Sequence, residues 1–300
     1  RVGTDEIYSL ILSDLDFAAA NLPAKSEYSP SDAGRATRGA ALALKGKVLL
    51  FQGDYAKAAE ELQKVVDSGE YALVDDYFDN FKEETENNIE SVFEIQFGSN
   101  VGGQWNPTGS GNGDVTFRGQ EYGFKEWRNV IPSQRLLDEF EENDPRYGFT
   151  FYGPCDEFNN GNNIIYTPND CPPPEGVNPT QPDDSPSWRK YQQHYRQESD
   201  NTNSPINFNY LRYADVLLML AEAKAETGDI AGALALVNQV RQRPSVNVEP
   251  YPTADYPFGS TEEAIRAIYH ERIVELAGEQ VLYRDWLRRP EYFEEWVPQG

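Results

Sequence analysis

The chain has 300 residues, of which 39% are hydrophobic and 13% aromatic, enough to bury a substantial core. Its formal charge of −24 argues against nucleic acid or an anionic membrane surface as a partner, because both need a basic field. That charge reads instead as a solubilising acidic surface suited to a salty medium, and no run of about 20 apolar residues offers a membrane-spanning helix.

A first helix is expected from Asp5 to Asn21, capped by Thr4 and carrying Ile7, Leu10, Ile11, Leu15 and Ala18; it stops before Pro23. Arg1 stands close to this helix with no initiating Met and no signal peptide. The chain therefore reads as an internal stretch of a longer protein. A helical hairpin follows from Arg35 to Asp67, turning at Gly53-Asp54-Tyr55 with Ala58 just beyond. The same phrase returns as Gly228-Asp229-Ile230 with Ala233, after a helix-like segment from Tyr213 to Thr227 and before one ending near Arg243. The Gly-Asp step ends one helix and caps the next, and small residues (Gly46, Ala58, Ala221, Ala233) let the paired helices approach closely. This is the pattern of tetratricopeptide-like hairpins, so the fold is expected to be mainly α.

Between the copies the character changes. Ser91 to Phe97 alternates as a strand, with Val92, Glu94 and Gln96 opposite Phe93, Ile95 and Phe97. Gly98 to Gly123 is rich in Gly and Asn and holds Trp105, Phe117 and Tyr122. A helix is expected from Pro132 to Glu142, marked by Leu136, Leu137 and Phe140. A second irregular stretch from Gly148 to Pro205 carries Trp188, Tyr191 and Tyr195. Long irregular segments of this kind are usually functional or disordered, and their aromatic content disfavours disorder. The organisation is read as one domain over 1–300: helical scaffold at 1–90, a loop-rich ligand-binding insert at 91–205, and scaffold again at 206–300. Cys155 and Cys171 flank an Asn-, Pro- and Gly-rich loop. They read as a disulfide and hence as export, with two unpaired thiols as the alternative. Near the end, Ser260 and Glu263 form a capping box ahead of Ile265, Ile268, Tyr269, Ile273 and Leu276 on one helical face.

Catalysis finds little support. His194 and His270 are the only histidines, and HExxH, GxSxG and phosphate-loop motifs are absent. Cys155 lies among acidic residues, which disfavours a nucleophilic thiolate. His270 reads as a structural or exposed helix residue. With 50 acidic residues some carboxylate pair always exists, so composition does not decide against a glycosidase, but no motif favours one. No cofactor is expected, and a structural Ca²⁺ in the acidic loops is left open. The aromatics are the better lead, because sugar rings present apolar C–H faces to rigid Trp and Tyr platforms while Asn, Gln and Arg bond the hydroxyls. Three groups have that composition: Trp105 with Gln104 and Asn106; Arg118, Gln120, Tyr122, Phe124 and Trp127; and Trp188 beside Arg189 and Tyr191. For each ring the competing reading is packing onto the scaffold, which is favoured for Trp286 and Trp296.

Several stretches together resemble the SusD/RagB family of outer-membrane nutrient-binding lipoproteins. Asp14-Leu15 to Leu22-Pro23, Ala36 to Tyr55, Glu90-Ser91-Val92-Phe93-Glu94, Asp144-Pro145-Arg146 and Arg189-Lys190-Tyr191 match its pieces in order. The strongest piece runs from Leu211 to Met219 and on through Ala221-Glu222-Ala223, followed by Asn238, Val240 and Arg241. Glu271-Arg272, Glu275-Leu276, Glu279, Asp285 and Arg288 continue the likeness, whereas Gln280, Leu282 and Trp286 stand where the family usually has Gly, Arg and Leu. The resemblance implies a lipid-tethered, non-catalytic glycan binder at the cell surface of the outer membrane, acting as a lid on a SusC-like TonB-dependent transporter. It also implies that the anchor, the first helical pairs and a closing segment lie outside this chain. The family has no universal binding motif, so the site residues Trp105, Asn106, Arg118, Gln120, Tyr122, Trp127 and Trp188 rest on loop position and chemistry. A neutral polysaccharide is favoured by the charge; a peptide-binding importer lid and a tetratricopeptide-type protein scaffold are the rivals.

Overall fold

The computed structural model describes residues 3–98, 115–116, 118–199 and 204–292. Trp105, Asn106, Phe117 and Trp296 lie outside the described residues. In chain order the helices are α1 (Thr4–Asn21), α2 (Arg38–Phe51), α3 (Tyr55–Asp67), α4 (Arg118–Tyr122), α5 (Gln134–Asp138), α6 (Arg146–Thr150), α7 (Tyr213–Glu226), α8 (Ile230–Arg241), α9 (Thr261–Glu275) and α10 (Leu282–Arg288). The strands are short: β1 (Ser91–Ile95), β2 (Phe151–Tyr152), β3 (Glu157–Phe158), β4 (Asn163–Ile164), β5 (Ser187–Trp188) and β6 (Phe208–Arg212). They form two-stranded pairs, β1 with β6, β2 with β5 and β3 with β4.

The chain divides into two compact units. The first comprises Arg1–Asp76, Asn87–Glu94 and Asn209–Gly300; the second comprises Tyr77–Glu86 and Ile95–Phe208. The insert expected at 91–205 is thus set against a second unit of 95–208 that also recruits 77–86, a segment the sequence reading assigned to the scaffold.

In the first unit the two Gly-Asp turns are built alike. Gly53 and Gly228 adopt φ of +74° and +88°, a conformation that costs glycine little and other residues more. Asp54 and Asp229 then accept hydrogen bonds from Lys57 N and Gly232 N, capping α3 and α8. Glycine at 46 is a matter of space: a Cβ there would lie 2.5 Å from Leu62 Cγ, so α2 and α3 approach as closely as its missing side chain permits. Helix α7 is buried on nearly every side, packing against α3, α8 and α9. An apolar helix covered all round belongs at the centre of its unit. The Ser260–Glu263 capping box is present at α9, whose buried residues extend well beyond the one expected face.

Three local expectations are corrected. The cap of α1 is Gly3 rather than Thr4, and no side chain bonds there. The helix expected from Pro132 to Glu142 shrinks to α5, capped by Ser133, with Phe140 buried beyond its end. Only Ser91–Ile95 of the expected strand pairs, and its buried face is Val92 and Glu94, while Ile95 is exposed.

The first unit also contains buried ion-pair networks. Glu90 accepts from Arg212 Nη1 at 2.8 Å and from Arg243 Nη1 at 2.6 Å, and both arginines also reach Glu275 Oε1. Arg212 Nε bonds Glu279 at 2.7 Å. A second network joins Asp215 to Lys47 and Arg272, and Arg272 to Asp285. It continues through Arg288, which bonds Asp285 at 3.2 Å and, with Arg289, holds Glu222. Burial alone would raise the Glu90 and Glu222 carboxyls, but the arginines outweigh it and hold both below the ordinary range.

Candidate functional site

The second unit carries the sequence-derived site residues that can be placed. Gly119, Gln120 and Tyr122 lie on α4, and Gly123 follows with its N–H on Gly119 O at 2.8 Å. A Cβ at Gly123 would meet that same oxygen at 2.6 Å, so the tight exit from the helix requires glycine. The chain then doubles back: Trp127 N donates to Gln120 O at 3.0 Å and Asn129 N to Glu121 O at 2.9 Å. Phe124 is the inward anchor of this loop, packed edge-on against Tyr152 and Phe158 and 4.3 Å from the His194 ring. Trp127 is its outward face, 56% exposed, with Val130 and Ile131 also exposed.

Arg128 fixes the loop. Its backbone is left-handed (φ +47°), and its guanidinium bonds both Asp183 oxygens at 3.1 Å and Ser185 O at 3.1 Å. The Arg128 hydrogen bond holds the Asp183 carboxyl below its usual value despite some desolvation. Asp184, next door, accepts from Asn169 N and Asp170 N, tying this segment to the loop closed by the Cys155–Cys171 bond. The Trp127 loop is therefore braced by one bidentate ion pair to the 183–185 segment, which Asp184 in turn ties to the disulfide-closed loop.

The other candidates are placed differently. Gln120 is buried. The Arg118 guanidinium lies over three rings, 4.4 Å from Tyr191, 4.7 Å from Phe208 and 5.6 Å from Tyr122, so it covers aromatic surface. Trp188 sits in β5 opposite Phe151, their rings 5.2 Å apart, with its indole Nε1 buried. The ring packs on Phe151 while Trp188 remains half-buried. His270 is buried, stacked on Tyr256 at 4.0 Å, with Nδ1 2.7 Å from the Tyr251 hydroxyl. Among the described residues no group of His, Cys, Asp and Glu is placed to hold a metal ion.

One feature of this unit escaped the sequence reading: a cavity of about 540 Å³ beside the β3–β4 hairpin. Its walls include Tyr152, Phe158 and Tyr195, with Asp156, Glu157, Asn160 and Arg189 as polar groups. The one available signal was the run Asn159-Asn160-Gly161, all left-handed (φ 53°, 55° and 78°), which turns the hairpin at the cavity.

The model of the SusD family matches residues 89–299. The chain belongs to the SusD family. Among curated proteins it is similar to SusD-like protein P25 of Formosa agariphila, 26% identical over 311 residues, covering 93% of this chain and 54% of that protein. It is also similar to a SusD-like protein of Bacteroides ovatus, 28% identical over 271 residues, covering 84% of this chain and 46% of that one. This SusD-family chain thus spans about half the length of the curated relatives it matches. Among solved structures, a SusD-like carbohydrate binding protein of Bacteroides fragilis superposes with a TM-score of 0.80 at 24% identity, over 98% of this chain and 60% of that one. Surface glycan-binding protein A of Bacteroides uniformis does so with a TM-score of 0.68 at 22% identity, over 96% and 58%. These two likenesses establish a shared fold.

The family-matching residues now have a physical meaning. Glu90, Arg212, Asp215, Glu222, Arg241, Glu271, Arg272, Glu275, Glu279 and Asp285 are among the buried charges of the first unit, and Asp144 with Arg146 is a buried pair in the second. The resemblance reports how the fold is held together, and it is silent about the ligand.

Proposed function

We propose that this SusD-family chain captures a glycan at the cell surface without catalysis, using Trp127 as its principal stacking platform. The observation that carries this reading is the exposure of Trp127: an indole more than half open to solvent, on a loop whose backbone is bonded on both sides and whose neighbouring Arg128 is clamped. A rigid, wet aromatic face loses little entropy on stacking and suits the C–H face of a sugar ring. The names of similar folds, a carbohydrate binding protein and surface glycan-binding proteins, support the same class. Tyr122, Arg118, Trp105 and Asn106 are proposed as flanking contacts. Gln120 and Trp188 would contribute by supporting the site. The strongly acidic surface favours a neutral polymer such as a β-glucan. Delivery to a SusC-like TonB-dependent transporter, and tethering to the outer membrane by a lipid, complete the proposal through family membership.

Affinity electrophoresis through gels containing neutral β-glucan, xylan or polygalacturonate tests this reading. Retardation by a neutral glycan that disappears in Trp127→Ala supports it. Unchanged retardation in Trp127→Ala and Trp105→Ala removes the site. Retention of oligopeptides with no glycan response would favour the peptide-importer reading, and indifference to all these probes would favour a protein-interaction scaffold.

A further inference from the structure

The cavity at the β3–β4 hairpin shares no lining residue with the Trp127 loop, and its chemistry is of another kind. Arg189 lies over the rings of Phe78 (4.8 Å) and Tyr152 (5.0 Å) and donates to Gly148 O at 2.8 Å. No carboxylate pairs with it among the described residues. This is unusual in a unit where Arg128, Arg146 and Arg196 each hold a carboxylate. In the same lining, Asp156 engages only Gly153 N through one oxygen, at 2.7 Å, and Glu157 is exposed with no ion-pair partner among the described residues.

The walls are set in advance. Asn159 N and Asn160 N bond His194 O and Tyr195 O at 2.7 and 3.0 Å, pinning the hairpin tip. The Tyr195 hydroxyl donates to Glu84 and accepts from Glu83 N, while Arg196 bonds Glu84 at 2.8 Å. A site so held loses little on binding.

The class of ligand follows by elimination. An anion would satisfy Arg189 but face Asp156 and Glu157. A cation would satisfy the carboxylates but face Arg189. A hydroxyl both donates and accepts, so a polyol can serve the guanidinium, both carboxylates and the Asn160 amide without opposing any of them. The lining is mainly polar; the half-buried Tyr195 ring is its accessible aromatic surface, while Tyr152 and Phe158 are buried behind it. The volume of about 540 Å³ lies within the roughly 300–1,000 Å³ of small-ligand pockets, which suits a chain end better than a polymer strand. We propose that this cavity is a second binding site, for a neutral sugar residue, formed by Arg189, Asp156, Glu157 and Asn160 beside the Tyr195 ring.

Backbone amide shifts of the intact chain, titrated with D-glucose, D-galactose, D-mannose and D-xylose, test it, with D-galacturonate and D-glucosamine as charged controls. The expected result is a saturable shift of the Glu157, Asn160 and Gly161 amides with at least one neutral sugar. Glu157→Gln combined with Asn160→Gly should weaken it about fivefold or more, as loss of one or two hydrogen bonds would. Glu157 is exposed and glycine accepts the left-handed conformation at 160; Asn160→Gly also removes the exposed bond from its side chain to Arg196 O, while the backbone bonds of Asn159 N and Asn160 N still hold the hairpin tip. Silence of these amides toward all the neutral sugars overturns the proposal, as does a response only to galacturonate or glucosamine, or an undiminished response in the double variant. Trp127→Ala should leave these shifts intact, so loss of polysaccharide retardation in that variant and failure of this site are separate results.

Discussion

Asp54 and Asp229 hold the same backbone conformation, φ −85° and ψ 68° against φ −84° and ψ 67°, and each accepts a hydrogen bond from the amide three residues on. The two Gly-Asp turns are thus one device used twice. Asp54→Ala and Asp229→Ala should each lower stability by about 1 kcal/mol, the usual worth of an N-cap. The two changes touch separate caps, so the double variant should lose about the sum. Urea unfolding of the two single variants and the double measures this, and a far smaller loss at either site would deny that its cap stabilises the fold.

Glu90 receives Arg212 and Arg243 in a place with no solvent. Glu90→Gln keeps the shape but leaves both guanidinium groups short of a counter-charge. A loss of about 3–5 kcal/mol is expected, the cost of breaking a buried pair from one side. The exposed Arg35–Asp32 pair is the control: Asp32→Asn should cost less than about 1 kcal/mol. Similar losses from the two changes in chemical denaturation would remove the argument.

His194 gives the chain an acid-sensitive step. Burial, with Lys125 nearby, lowers its imidazole from 6.5 to about 4. The folded state therefore resists protonation that the unfolded chain accepts. Its contribution is fully present above about pH 6.5 and declines as the pH falls toward 4, by up to roughly 3 kcal/mol. Glu90, Asp215 and Glu222, whose carboxyls are depressed by cationic partners, add a further loss that begins only near the ordinary carboxylate range. His194→Phe, placed between Phe124 and Phe158, should flatten the upper part of the profile and leave the lower part. An unchanged slope between pH 6.5 and 4.5 would contradict this.

Arg128 and Asp183 should matter more to binding than to folding. Asp183 is half exposed, so Asp183→Asn is expected to change stability by less than about 1 kcal/mol. The same change frees the loop that presents Trp127 and should weaken glycan retardation several-fold. Exchanging the charges, Arg128→Asp with Asp183→Arg, should restore part of it. Retardation that follows stability alone would make the clamp merely structural.

Cys155 and Cys171 are bonded across a separation of 16 residues. Closing a loop of that length removes about 3 kcal/mol of unfolded-state entropy in the chain-entropy model. Cys155→Ser with Cys171→Ser should lower the midpoint for the second unit, and reductant should do the same to the native chain but not to the variant. Equal thermal melts with and without reductant would show that the bond adds nothing.

The elements that the sequence made legible are those specified by neighbours along the chain. The Gly-Asp turns, the Ser260 capping box and the small residues at positions 46, 58, 221 and 233 each state a local geometry, and the helices follow. The end of α5 is not legible in the sequence, because Leu137 and Phe140 keep a helical spacing while the helix ends at Asp138. The family pieces were legible as text, but their reason was not, since Glu90 meets Arg212 and Arg243 only after folding.

The same limit governs the site. Trp127-Arg128 and Trp188-Arg189 are the same dipeptide, both within the loop-rich 91–205 insert, and nothing local separates them. Pairing of β5 with β2 turns Trp188 onto Phe151 and lays Arg189 over Phe78 and Tyr152. The return of the loop onto α4 instead leaves Trp127 in solvent and sends Arg128 to Asp183. Sequence by itself determined the helical frame, because capping, small-residue spacing and periodicity act over a few residues. Which tryptophan faces water and which arginine meets a carboxylate were decided by partners distant in sequence, because burial and ion pairing are properties of the assembled surface.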